Sequence, residues 1–183
     1  LSSLQNSGSG SISVRSNIAG GVLVGDVGAA NGHIGLDSTT SLRLVQGTSD
    51  IDAPSGNVSL NGPTTIAGAV EITAAGLGEG EVTFNSTVDG AAASTGALTV
   101  TASGWTTFSN DVGGGATLNM LSVNGVTRLA GNQILTGNGI DLGVLFIMNP
   151  SEAILIDAGV GAVVASDNTT DFDGVDDLTL PGS

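Results

Sequence analysis

Between Glu81 and Gly143 the sequence repeats itself, and a repeat narrows the possible folds more than composition can. VTFNSTVDG (Val82 to Gly90) returns 24 positions later as TTFSNDVGG (Thr106 to Gly114), and TTIAG (Thr64 to Gly68) is echoed by TRLAG (Thr127 to Gly131). Taking Ile66, Phe84, Phe108 and Leu129 as equivalent points gives spacings of 18, 24 and 21 residues. A period near 21 predicts a solenoid, in which no repeat closes a core alone and each stacks on its neighbours.

The residues between the turns say which kind of solenoid. Runs such as SISVR, GVLVGDV, HIGLDS, NVSLNG and ALTVTAS alternate Val, Ile, Leu and Thr with small polar residues and stop at Gly, Asn, Asp or Ser. That is the chemistry of short strands and tight turns. Leu, Glu, Lys and Arg nowhere recur at helical spacing, so almost no helix is expected. Even strand spacing also suits a sandwich or barrel, but those strands have no reason to resemble one another. The expectation is an all-β parallel β-helix. At about 4.8 Å per coil it would form a rod of about eight or nine coils, roughly 40 Å long.

Composition sets limits on the core and on partners. The hydrophobic fraction of 40% is enough to order the chain, and with aromatics at only 3% the core has to be small aliphatics. A net charge of −14, relieved only by Arg15, Arg43 and Arg128, repels phosphate backbones and anionic lipid. No apolar run reaches the roughly 18 residues of a membrane-spanning helix. Neither nucleic-acid binding nor membrane insertion is therefore expected. Absent cysteine excludes disulfides and thiolate metal sites. The chain reads as a mature product or as a piece of something longer.

The pattern divides at Gly143. Residues 1–143 read as solenoid coils, clearest over 57–143, with residues 1–10 either a frayed end or part of a neighbouring coil. Residues 144–183 read as more apolar terminal coils, or as a cap or interface, followed by an acidic tail. VLFIM (Val144 to Met148) and AILIDAGVGAVVA (Ala153 to Ala165) are apolar on both alternating faces, as in strands covered from outside. Val144, Phe146, Ile147, Ile154 and Ile156 are accordingly the candidate assembly interface.

Strict alternation from the repeat assigns the faces. With Ile66, Phe84, Phe108 and Leu129 inward, Thr64, Val82, Thr106 and Thr127 also turn inward. Pro63, Glu81, Trp105 and Val126 then form one outward column, and Thr65, Thr83, Thr107 and Arg128 the next. Trp105, the only tryptophan, becomes a candidate ligand or partner contact together with Val126 and Arg128. The alternative is that uneven coil lengths shift the register and bury Trp105 under a loop. Arg128 reads either as a solvated surface charge or as a partner for a carboxylate. Three threonines ending in Arg128 are too short an array for an ice-binding face.

The acidic residues admit two chemistries. In the tail TDFDGVDD, Asp171, Asp173, Asp176 and Asp177 could supply oxygen ligands to Ca²⁺, and the bland reading is a solvated terminus. The spacing lacks the closing Glu of an EF-hand loop and the tandem glycine-aspartate pattern of calcium-loaded β-rolls. Apart from that ion no cofactor is expected. Catalysis has little support: the one histidine, His33, reads as a turn-edge surface residue far in sequence from Arg128, lysine is absent, and nothing singles out a pair of carboxylates. The chain reads as a non-enzyme.

The run from Val82 to Gly131 resembles the degenerate repeats of very large bacterial exoproteins of the filamentous-haemagglutinin and autotransporter-passenger adhesin type. In those repeats a TF-x-x-x-V-G-G segment precedes L-x-x-L-x-V-x-G-x-T. Here the matching residues are Thr107, Phe108, Val112, Gly113 and Gly114, then Leu118, Leu121, Val123, Gly125 and Thr127. The resemblance covers about residues 57–143 and implies a right-handed parallel β-helix, secretion, a surface or matrix role and no catalytic residues. The expected function is an extracellular adhesin or cell-surface structural module whose partner is a host or cell-surface glycan or protein. The alternative is a subunit that assembles with itself into a filament or surface layer, and a polysaccharide-active enzyme stands third.

Overall fold

The computed structural model describes residues 3–19, 21–45, 49–76, 80–148, 153–167 and 178–179. The chain winds through three strand positions per turn. β1 (Ser3–Asn6), β2 (Ile12–Ser16) and β3 (Val22–Val24) make the first coil, and β4 (Asp26–Ala29), β5 (Ile34–Ser38) and β6 (Leu42–Leu44) the second. β7 (Ser49–Ala53), β8 (Val58–Asn61) and β9 (Thr64–Ile66) follow, then β10 (Ala69–Ala74), β11 (Val82–Phe84) and β12 (Val88–Gly90). In the fifth coil the first two sides fuse into one long strand, β13 (Ala97–Phe108), and the third side is a single bridge at Val112. β14 (Met120–Leu129) with β15 (Gln133–Leu135), and β16 (Ile140–Ile147) with β17 (Ile154–Asp157), repeat this form. β18 (Val163–Asp167) and β19 (Leu178–Thr179) belong to the last coil.

Neighbouring coils are parallel on every side: β1 with β4, β2 with β5, β3 with β6, and so on to β16 with β18 and β17 with β19. There is no helix among the described residues. The molecule is thus an all-β parallel solenoid, as the repeat requires. Its coils do not stop at Gly143: β16 pairs with both β14 and β18, so the segment from Val144 continues the stack.

Register along the second side shows what the repeat encodes. Ile12, Ile34, Val58, Val82, Thr106, Thr127 and Leu145 stand one above another, six turns apart from first to last, at spacings of 22, 24, 24, 24, 21 and 18 residues. Two residues further on, Val14, Leu36, Leu60, Phe84, Phe108, Leu129 and Ile147 form a second inward column. The rings of Phe84 and Phe108 stack inside the coil with centroids 5.0 Å apart and planes within 11°. Such stacking adds about 0.5–1.5 kcal/mol beyond area burial.

A glycine precedes each first-column residue by two positions: Gly10, Gly32, Gly56, Gly80, Gly104, Gly125 and Gly143. These glycines turn the corner between the first and second sides. A Cβ on Gly56 would lie 2.3 Å from the carbonyl oxygen of Gly32, and one on Gly143 2.2 Å from that of Gly125, so backbone stacks directly on backbone there. The true repeat unit is therefore glycine, any residue, inward, any residue, inward.

This register corrects part of the sequence alignment. Phe84, Phe108 and Leu129 are equivalent as expected, but Ile66 is not: it sits on the third side, paired with Leu44 and Gly90. The likeness of TTIAG to TRLAG joins two different sides of the coil. Pro63 and Thr65 accordingly leave the outward columns, and Asn57 and Ser59, which flank Val58, take their places.

The threonines expected to face inward do so, and Thr64, Thr106 and Thr127 are at most 2% exposed. Thr127 Oγ1 donates to the Leu142 carbonyl at 2.7 Å, whereas Thr106 Oγ1 is buried without a hydrogen-bond partner. An unpaired buried hydroxyl costs about 1–3 kcal/mol.

Candidate functional site

The outward positions of the second side fall into columns between the inward ones, and the early coils fill them with hydrogen-bonding groups. After the corner glycine come Ser11, His33, Asn57 and Glu81. The Ser11 hydroxyl accepts from the His33 N–H at 3.1 Å, His33 Nδ1 accepts from the Asn57 N–H at 3.0 Å, and Asn57 Oδ1 accepts from the Glu81 N–H at 3.0 Å. Each side chain thus ties its coil to the next. His33 is an exposed turn-edge residue, as the sequence suggested, and its Nδ1 lone pair is committed to this ladder.

A second ladder runs parallel to it. Arg15 donates to Asp37 Oδ2 at 3.2 Å, Asn61 Nδ2 donates to Asp37 Oδ1, and Asn85 Nδ2 donates to Asn61 Oδ1 at 2.6 Å. The side chain of Arg15 is 84% exposed, so its ion pair adds at most about 1 kcal/mol. Neither ladder was read from the sequence. The signal for both was the corner glycine recurring every 22 to 24 residues, which sets Arg15, Asp37, Asn61 and Asn85 in one column on successive coils.

From the fifth coil the first of these columns turns apolar, and the column between the two ladders gains large side chains. Trp105 pairs across to Val126 and Val126 to Val144, while Thr107, Arg128 and Phe146 form the neighbouring column. All five of Trp105, Val126, Arg128, Val144 and Phe146 are half-buried, although they point away from the core. Trp105 reaches across the intervening coil to meet Phe146 edge to face, with centroids 5.1 Å apart and planes at 68°. The Arg128 guanidinium carbon lies 3.4 Å from the centre of the indole. A cation–π contact of this kind is worth about 0.5–1 kcal/mol where it is exposed and more where water is excluded.

The structure thus joins two groups of residues that the sequence kept apart. Val144 and Phe146 belong to the same outer shelf as Trp105, Val126 and Arg128. Trp105 faces outward, and its shelter comes from Arg128 and Phe146 instead of from a loop. Arg128 is half-buried, and among the described residues its partner is the indole and not a carboxylate.

Three proposed interface residues lie elsewhere. Ile154 and Ile156 are each 1% exposed and belong to the core, while Ile147 pairs with Leu129 and packs against the same interior. The reason is the two-residue alternation, which sends Leu155, 36% exposed, to the outside between them. The strands after Gly143 are therefore ordinary coil strands with one inward face, and the apolar residues of the outward face are Val144, Phe146, Met148, Leu155 and Val164.

The chain matches no protein-family model, no curated protein and no solved structure. What it can do chemically has to be judged from its own surface. A shallow cleft of about 340 Å³ opens at the corner of the middle coils beside His33, Pro54, Asn57 and Gly76, and it gathers no cluster of ionisable groups. Among the described residues no three His, Cys, Asp or Glu side chains come together to share a cation. Asp171, Asp173, Asp176 and Asp177, the proposed calcium ligands, lie outside the described residues.

Proposed function

We propose that the chain is a non-enzymatic extracellular β-solenoid, an adhesin or cell-surface structural module, and that the shelf around Trp105 is where it meets a glycan or protein on a cell surface. The observation that carries this reading is the change of the second side's outer face from hydrogen-bonded ladders to an aromatic, apolar shelf crossed by one arginine. Tryptophan and arginine dominate the energetics of protein contacts, because they combine a large apolar area with directional donors. A stack of coils that share backbone hydrogen bonds on every side is a stiff support, and it holds such a patch at a fixed height. The likeness of the 57–143 repeats to those of large bacterial exoproteins supports an extracellular setting.

The test is binding of the whole chain to intact cells and to arrayed cell-surface glycans, beside Trp105→Ala and Phe146→Ala. Each variant is expected to weaken binding on the order of tenfold or more with an unchanged strand signal in circular dichroism. Binding that survives both substitutions together would place the contact elsewhere on the rod.

A further inference from the structure

On the second side the fifth to seventh coils run through residues 104–109, 125–130 and 143–148, and Arg128 is the only charged residue in these three stretches. The chain as a whole carries −14, so this face is a small positive spot on a strongly negative molecule. Arg15 has Asp37 to bond. Arg128 has no such acceptor: among the described residues its guanidinium makes one ring contact, 3.4 Å from the centre of the Trp105 indole, and no hydrogen bond or ion pair. Thr107, paired with Arg128 on the adjoining coil, has a hydroxyl equally without a partner among the described residues.

A guanidinium holds five N–H donors in one plane and grips a carboxylate with two of them. Half-buried, Arg128 has already lost part of its water, which strengthens its attraction for an anion that brings acceptor oxygens. It also changes what the indole can do. The guanidinium lies over one face of the ring and Phe146 meets the edge, so a sugar cannot stack on that face while Arg128 is in place. A neutral sugar loses that stacking surface, whereas an acidic sugar gains the guanidinium. Form and charge narrow the choice further. A protein anchor fills a pocket at the centre of its interface, and this shelf is instead the outer face of a sheet, with coils about 4.8 Å apart. A glycan charged on every residue is repelled by the −14 of the chain, and one that is neutral except at its end largely escapes that repulsion.

We propose that the Trp105 shelf binds a terminal acidic sugar, a pyranose bearing one carboxylate, and that Arg128 is the residue that selects it. The carboxylate takes two guanidinium N–H groups, the Thr107 hydroxyl bonds a hydroxyl of the ring, and the C–H face of the sugar lies on Phe146 and its apolar neighbours. This rests on the shelf being the contact surface and names the chemistry that the surface selects.

Trp105 is the sole tryptophan, so its indole reports on the site without a label. The test is a titration of the whole chain with methyl glucuronide and with methyl glucoside at matched ionic strength, followed by Trp105 fluorescence and by the indole N–H signal in NMR. The glucuronide is expected to saturate the signal at a concentration at least about tenfold below the glucoside, as loss of one charge-assisted pair implies. Arg128→Gln should abolish that preference, and Arg128→Lys, which keeps the charge and loses the fork, should retain only part of it. Equal binding of the two sugars, or a preference that survives Arg128→Gln, would overturn the proposal. So would N-acetylglutamate amide moving the indole signal at a lower concentration than the glucuronide, since the carboxylate recognised would then be a protein's. Loss of cell binding in Trp105→Ala together with an equal response to the two sugars would overturn this inference and leave the shelf as the contact surface. Arg128-dependent binding of the glucuronide by a chain that binds no cells would do the reverse.

Discussion

The outer face of the second side is built in two ways on one interior. Through the first four coils it carries ladders in which Ser11, His33 and Asn57 bond backbone N–H groups of the next coil and Asp37, Asn61 and Asn85 bond one another. Through the fifth to seventh coils the column of Ser11, His33 and Asn57 carries Trp105, Val126 and Val144, and the next outward column, Ser13, Gly35, Ser59 and Thr83 in the early coils, carries Thr107, Arg128 and Phe146. The inward columns continue through both regions with buried aliphatic, threonine or stacked phenylalanine side chains. The core therefore sets the coil, and the outward columns are free to differ. One region uses them to hold coils in register, and the other gathers area that a partner can share.

The comparison breaks most severely if the interior is not common to both regions. Leu36→Ala and Phe108→Ala should each destabilise the chain, by about 2–5 and 3–5 kcal/mol respectively, measured by urea unfolding. A cost below about 1 kcal/mol at either position would mean that the corresponding core does not hold its coils together. On the outside the effects are smaller and differ in kind. Trp105→Ala should cost about 1–2 kcal/mol through lost aromatic and cation–π contacts. Asn61→Ala, which breaks two links of the polar ladder, should cost about 0.5–1.5 kcal/mol.

Two buried hydroxyls sharpen the comparison of adjacent coils. Thr106→Val removes an unpaired group and should raise stability by about 1 kcal/mol, whereas Thr127→Val loses the bond to Leu142 and should lower it by about 1 kcal/mol. Thermal unfolding of the two variants should therefore shift in opposite directions. The smallest effect belongs to the exposed ion pair: Asp37→Asn should change stability by less than about 1 kcal/mol, less still in high salt, because screening already weakens the Arg15 contact.

Much of the fold was legible in the residues. Alternation of Val, Ile, Leu and Thr with turn residues implied strands, and the 24-residue echo of VTFNSTVDG in TTFSNDVGG implied stacked coils. Phe84, Phe108 and Leu129 do stand in one column. The error lay in Ile66: Gly62-Pro63-Thr64-Thr65-Ile66 has the same glycine and inward spacing as Gly125 to Leu129, so only strand pairing reveals that it lies on the third side. In the candidate site, Trp105, Val126 and Arg128 were legible as outward residues because alternation is a property of the strand itself. Ile154 and Ile156 were misplaced because an apolar run gives no phase: Leu155 between them is equally hydrophobic, and only its neighbours on the adjacent strands decide which residue faces in.

By itself, then, the sequence determined that the chain is strands and that the strands stack in parallel coils, since these follow from local alternation and from a repeat of about 21 to 24 residues, while Trp105 stayed between an outward face and burial under a loop. The tertiary structure alone decided that Trp105 faces outward, that Arg128 lies on the indole and that Phe146 closes its edge from two coils away. The physical reason is that contacts between coils depend on how much chain each corner uses. That length changes from residues 75–81 between β10 and β11 to a corner crossed within the single strand β13. Such changes leave no mark on the alternation within a strand, yet they set which side chains meet across the coils.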